Sequence, residues 1–155
     1  MERVLVSACL LGDPVRYDGT AATTDHPILG RWRGEGRIVP CCPEVAAGLP
    51  VPRACVELVD HTRALGRDGE DVTEAFLAGA RLVLETCRTL DIRLAVLKER
   101  SPSCGSTVIY DGTFRGVLVP GQGLATTLLR QHGINVFSEG QWEDADRRLA
   151  SLERR

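Results

Sequence analysis

Six cysteines stand at positions 9, 41, 42, 55, 87 and 104 of a 155-residue chain. Thiolates bind soft metals and act as nucleophiles, so each position serves either chemistry or packing. Two of them have reactive neighbours. Cys42-Pro43-Glu44 sets a carboxylate two residues from a thiol. Lys98-Glu99-Arg100-Ser101-Pro102-Ser103-Cys104-Gly105 surrounds another with charges and two hydroxyls. Three converging thiolates could hold a zinc ion with one coordination position open. They could equally hold an iron–sulfur cluster in which one iron lacks a protein ligand. In both cases the open position is where a substrate binds. No Cys-x-x-Cys pair occurs, so the zinc-ribbon and ferredoxin spacings are absent. Scattered structural thiols remain an alternative at this level.

The elements that must position these residues are legible from hydrophobic periodicity. Arg3 to Ser7 reads as a buried strand, because Val4, Leu5 and Val6 form a continuous apolar run. Asp13-Pro14 and Asp18-Gly19 mark a turn-rich loop. A short helix is expected over the His26 to Arg33 region, then a second strand from Arg37 to Cys41 and a third from Cys55 to Val59. Arg67-Asp68-Gly69 marks a turn. The clearest helix runs from Val72 to about Leu90, with an apolar stripe through Phe76, Gly79, Ala80, Val83, Leu84 and Cys87. Asp71 and Glu74 suit a capping box at its start. Leu94 to Leu97 is a further buried strand, and Thr107–Tyr110 with Phe114–Val119 flank Asp111-Gly112 as a hairpin. A helix near Gly123 to His132, a strand at Ile134–Phe137 and a final helix opened by Ser138 and Gln141 complete the chain. The arginine-rich end is expected to fray. The expected fold is one α/β domain over residues 1–155, Rossmann-like, with a mostly parallel central sheet flanked by helices and a small hairpin.

This layout sorts the cysteines. Cys9, Cys42 and Cys104 each fall just beyond a predicted strand, and loops at the carboxyl ends of parallel strands line the ligand crevice of an open sheet. Cys87 lies on the core stripe of the long helix and reads as a small buried hydrophobe. Cys55 reads the same way in its strand. Adjacent residues on an extended backbone point to opposite faces, so only one of Cys41 and Cys42 should face the crevice. Arg16-Tyr17-Asp18-Gly19 and Asp111-Gly112-Thr113 read first as turns, with any substrate contact secondary, and Leu49 to Arg53 reads as a surface loop, although it could bring a guanidinium near the crevice. His26, His61 and His132 show no ligand spacing.

Composition narrows the function classes. A formal charge of −2 gives no basic footprint for a nucleic-acid backbone. No apolar run approaches the length of a membrane span, and no targeting segment precedes Gly12-Asp13. The chain is expected in the cytoplasm, where thiols stay reduced and serve as ligands or reagents more often than as bridges. Lys98 is the single lysine among 19 basic residues, a bias that a GC-rich coding sequence explains.

The segments VSACLLG, VRYDG, CCPEVAAGLPVPR, DGEDVTEAFLAGA, LKERSPSCGS, YDGTF and VFSE together resemble a bacterial family of thiouracil desulfidases, from about Val4 to Glu139. The resemblance implies a [4Fe–4S] cluster held by Cys9, Cys42 and Cys104, with the fourth iron free for the substrate's sulfur. It also implies auxiliary roles for Glu44 and Ser101; apart from the resemblance, Ser103 and Lys98 in the same charged loop are candidates for substrate contact. The family commonly has cysteine before RYDG, where this chain has Val15. Cys41 is the reverse case, a thiol where an apolar residue is expected. The implied reaction is non-redox removal of sulfur from a thiolated pyrimidine such as 2-thiouracil, a small free base rather than a nucleic acid, with release of hydrogen sulfide. Two other classes stay open: a non-catalytic iron–sulfur or zinc redox sensor, and a small-molecule-binding α/β domain with structural cysteines.

Overall fold

The computed structural model describes residues 1–154; the expectation for the end of the arginine-rich tail, Arg155, lies outside the described residues. Four short strands form the central sheet: β1 (Val4–Ser7), β2 (Ile38–Cys41), β5 (Leu94–Leu97) and β8 (Asn135–Ser138). They pair in the order β2-β1-β5-β8, all parallel. From β1 the chain adds β2 on one side and β5 on the other. The order therefore reverses between β1 and β5, and the crevice opens there at the strands' carboxyl ends.

Alternation along the strands builds two apolar layers. Val4, Val6, Leu94 and Val96 face helices α1 (Pro27–Gly34) and α5 (Trp142–Glu153), meeting Leu29, Trp32, Trp142 and Leu149. Leu5, Ala95, Leu97 and Val136 face the other way, onto Val83, Leu84 and Cys87 of α3 (Thr73–Thr89) and Leu129 of α4 (Leu124–Gln131). Burial of both faces explains why β1 and β5 read as continuous apolar runs. No helix among the described residues is long and apolar enough to cross a membrane.

Two antiparallel hairpins close the open end, β3 (Val56–Val59) with β4 (Arg63–Gly66) and β6 (Val108–Tyr110) with β7 (Leu118–Pro120). Only the second was expected from sequence, and its connection is longer than the Asp111-Gly112 turn implied. Asp111 instead takes the Thr113 amide and hydroxyl in a local turn, while Glu57 accepts the Gly112 and Phe114 amides at 3.0 and 3.1 Å. The β3–β4 turn places Asp60 and His61 at φ 53° and 61° without a glycine to announce it. Asp71 accepts from Thr73 N at 2.9 Å, yet Val72 occupies the cap of α3 and no box with Glu74 forms. Ser138 and Gln141 do exchange side-chain bonds with local backbone before α5.

Candidate metal and catalytic site

Each of three central strands ends by delivering a cysteine. After β1, the chain tightens into a 3-10 turn over Ala8–Leu11 that carries Cys9 and ends at Gly12, φ 105°. After β2, Cys42 sits at the cap of a short helix α2 (Pro43–Ala46), where Pro43 suits the first helical position. After β5, the loop from Lys98 folds back to place Cys104 against the sheet, 5% exposed. All three thiols border one cavity of about 200 Å³ at the carboxyl end of the sheet. Glu44, Lys98 and Ser101 border it as well.

Burial dominates the electrostatics of the sulfurs. It raises Cys9 to about 11, with Lys98 pulling the other way, and raises Cys104 to about 12 against a bond from Ser103. Cys42 is raised by burial too, offset in part by the Val45 and Glu44 amides that it faces. All six cysteines are free thiols.

The loop Lys98–Val108 is fastened at both ends by carboxylates. Glu139 accepts the Glu99 amide at 2.7 Å and pairs with Lys98 Nζ at 2.8 Å. Glu99 turns inward and accepts the amides of Ser106, Thr107 and Val108 at 2.9, 3.0 and 3.2 Å, and both hydroxyls. Burial would raise this carboxyl, but the Thr107 hydroxyl and the three amides outweigh it and bring it to about 2. Within the loop, Ser101 Oγ accepts the Ser103 and Cys104 amides at 3.1 and 3.0 Å. Its hydroxyl lies 3.0 Å from Ser103 Oγ, which in turn donates to Glu44 Oε2 at 3.0 Å. A line of hydroxyls thus runs from the cavity wall to a carboxylate.

The sequence and the fold are both similar to those of other proteins. The chain matches the 2-thiouracil desulfurase family over residues 4–141. It belongs to that family. A relative from Bacillus subtilis (strain 168), the uncharacterized protein YbbK, is 36% identical over 150 residues, covering 91% of this chain and 98% of its own. A solved structure described as the [4Fe–4S]-dependent thiouracil desulfidase TudS superposes with a TM-score of 0.94 at 48% identity, covering 97% of this chain and 99% of that one.

Set beside the family motifs, the expected site residues gather with one exception. Ser103 was expected to touch substrate, but it is fully buried behind the wall and its hydroxyl faces Glu44. The structure puts two further residues on the wall against the reading preferred from sequence. Arg53 was assigned to a surface loop, yet its side chain is 7% exposed and it donates to Glu44, to Val15 O at 3.0 Å and to Pro50 O at 3.1 Å. The nearby Glu44 was the available signal. Cys55 was read as a core residue of β3, but the strand begins one residue later and Cys55 borders the cavity. Cys41 packs against the α3-side layer and also borders the cavity beside Cys42, so both members of the pair reach it rather than one, and burial raises the Cys41 thiol well above its usual range. Val15, standing where the family motif has cysteine, lines the cavity through its loop.

The donor set fits an iron–sulfur group. Five cysteines border the common space, and Cys9, Cys42 and Cys104 are the three that the ends of the central strands deliver to it, a soft donor set suited to iron and sulfide. No three His, Cys, Asp or Glu side chains among the described residues stand close enough to hold a single ion, as a zinc site requires.

Proposed function

We propose that this chain is a [4Fe–4S]-dependent thiouracil desulfidase, one domain over its whole length, that converts a thiolated pyrimidine and water into the oxo-pyrimidine and hydrogen sulfide. The observation that carries the reading is the meeting of Cys9, Cys42 and Cys104 at one cavity beside the hydrogen-bonded Glu44. These three cysteines would hold the cluster, which would supply a thiophilic Lewis acid for the substrate's sulfur.

The remaining chemistry belongs to side chains. The reaction forms one carbon–oxygen bond and breaks one carbon–sulfur bond, and both protons of the water leave with the sulfur. Glu44 takes the first proton as water attacks, because its carboxylate is at the wall and needs only hydrogen-bond reach. Arg53 holds that carboxylate in place from the side away from Ser103. Ser101, on the cavity wall, positions the substrate or relays a proton through the Ser103 hydroxyl to Glu44. Lys98, fixed by Glu139, sets a positive charge near the developing negative charge on sulfur. Ser103 acts through Glu44 rather than on the substrate.

The cavity volume suits a free base rather than a polymer, and a net charge of −2 offers no attraction to a phosphate backbone. A reducing cytoplasm suits six free thiols. The test is anaerobic reconstitution with iron and sulfide, followed by measurement of sulfide released from 2-thiouracil. Protein that takes up no iron, or a loaded protein that releases no sulfide, would overturn the reading.

A further inference from the structure

The chain contains two tyrosines, and both border the same cavity. Tyr17 comes from the loop after β1 and Tyr110 from the end of β6, segments 93 residues apart by numbering (110 − 17). The other aromatic side chains serve elsewhere. Trp32, Trp142 and Phe76 are core, Phe137 packs against that core, and Phe114 lies under the Arg67 guanidinium. Among the described residues, the ring–ring contacts are His26–Trp142 and Trp32–Trp142, so the two tyrosines do not stack on each other.

Both rings are held on rigid supports. The Tyr17 carbonyl accepts the Arg53 amide at 2.6 Å, and Arg53 also grips Val15 O two residues earlier. The Tyr17 side chain lies beside the Cys55 thiol. Tyr110 pairs with Leu118 across the β6–β7 ladder, and its neighbour Ile109 is anchored in the core. Tyr17 nevertheless stays 38% exposed, so part of it is open to a ligand.

A thiolated pyrimidine has polar edges and two flat apolar faces. Glu44, Ser101 and Lys98 offer charge and hydrogen bonds suited to the edges. We propose that Tyr17 and Tyr110 bind the faces, making this cavity selective for a planar heteroaromatic thione. The proposal rests on the desulfidase reading and adds the residues that recognise the ring. Aromatic stacking on a base is sequence-tolerant and depends on the π face, not on the phenol hydroxyl.

The experiment uses cluster-loaded enzyme under anaerobic conditions, with Tyr17→Leu, Tyr110→Leu and the corresponding Phe variants. Leucine keeps apolar bulk and removes the π face, whereas phenylalanine removes only the hydroxyl. The Leu variants should raise KM for 2-thiouracil about tenfold with kcat nearly unchanged, and weaken calorimetric binding of uracil by a similar factor. The Phe variants should match the parent. Leu variants with unaltered KM and uracil affinity would overturn the proposal, as would Phe variants as impaired as the Leu ones. Failure of the parent enzyme to release sulfide would instead overturn the desulfidase reading, and uracil binding would still judge the tyrosines.

Discussion

Ser103 Oγ donates to Glu44 Oε2 across 3.0 Å, joining two cysteine-bearing segments 59 residues apart. The bond ties the loop of Cys104 to the helix turn of Cys42. It also gives the candidate base a fixed partner that is wholly shielded from solvent.

Glu44→Gln should therefore separate chemistry from assembly. Glutamine fills the same space but cannot take a proton. Sulfide release should fall by about 10²–10⁴-fold in kcat, the usual range for losing a general base. Iron content and the visible absorption of the cluster should stay at parental levels. Ser103→Ala should lower kcat less, since the carboxylate remains. If Glu44→Gln retained full kcat, its role as the proton acceptor would be lost.

The cysteines predict a pattern rather than a single effect. Serine at Cys9, Cys42 or Cys104 should abolish iron binding, because a hard hydroxyl replaces a soft thiolate. Alanine at Cys41 or Cys87 should leave iron content intact and lower stability by about 1 kcal/mol, since both pack in the α3 layer. Iron analysis with thermal melts of the apo-proteins distinguishes the two groups. Loss of iron on replacing Cys87 would break the assignment.

Why these three cysteines were legible in the sequence is itself physical. Buried parallel strands must be apolar throughout, so Val4–Val6 and Leu94–Leu97 announced themselves and the residues after them fell at the crevice. Helix α3 was visible for a similar reason, as its stripe from Phe76 to Cys87 is the face it buries. The short antiparallel strands were less visible. Arg63–Gly66 has no strong alternation, and its pairing with Val56–Val59 depends on a turn through Asp60 and His61 at positive φ. Shifting the start of β3 from Cys55 to Val56 was enough to move one thiol from supposed core to cavity wall. The buried place of Arg53 was not legible because its partners, Glu44 and the Val15 carbonyl, are tertiary neighbours.

Glu99 supplies a pH prediction. Its folded pKa of about 2 lies below the ordinary 4.5, so it adds stability that is complete above pH 4.5 and is lost as pH falls through 2. Glu99→Gln should lower stability at neutral pH by about 1–2 kcal/mol, a modest figure because solvent reaches part of the carboxylate. The gap between parent and variant should close between pH 4.5 and 2. Paired thermal melts across that range measure it. A gap independent of pH would show that the loop's amides do not depend on the carboxylate charge.

Two glycines should control the site without lining it. A Cβ on Gly123, at the start of α4, would fall on the Ser103 carbonyl and lie 2.7 Å from the Cys104 amide nitrogen. A Cβ on Gly79, mid-way along α3, would fall on the Pro43 carbonyl and lie 2.8 Å from its carbon. Backbone cannot yield as a flexible side-chain tip does, so each substitution must displace a cysteine-bearing segment. Gly123→Ala should shift the Cys104 loop, and Gly79→Ala should push α2 with Cys42 and Glu44 away from the sheet. Each should cost about 1–3 kcal/mol from overpacking. Beyond that, each should lower iron occupancy after reconstitution, whereas Gly30→Ala, whose Cβ meets nothing within 4 Å, should leave iron uptake at the parental level. Iron uptake equal to the parent in both Gly123→Ala and Gly79→Ala would mean that the cavity tolerates movement of its ligands, against the tight fastening that the hydrogen bonds of this loop imply.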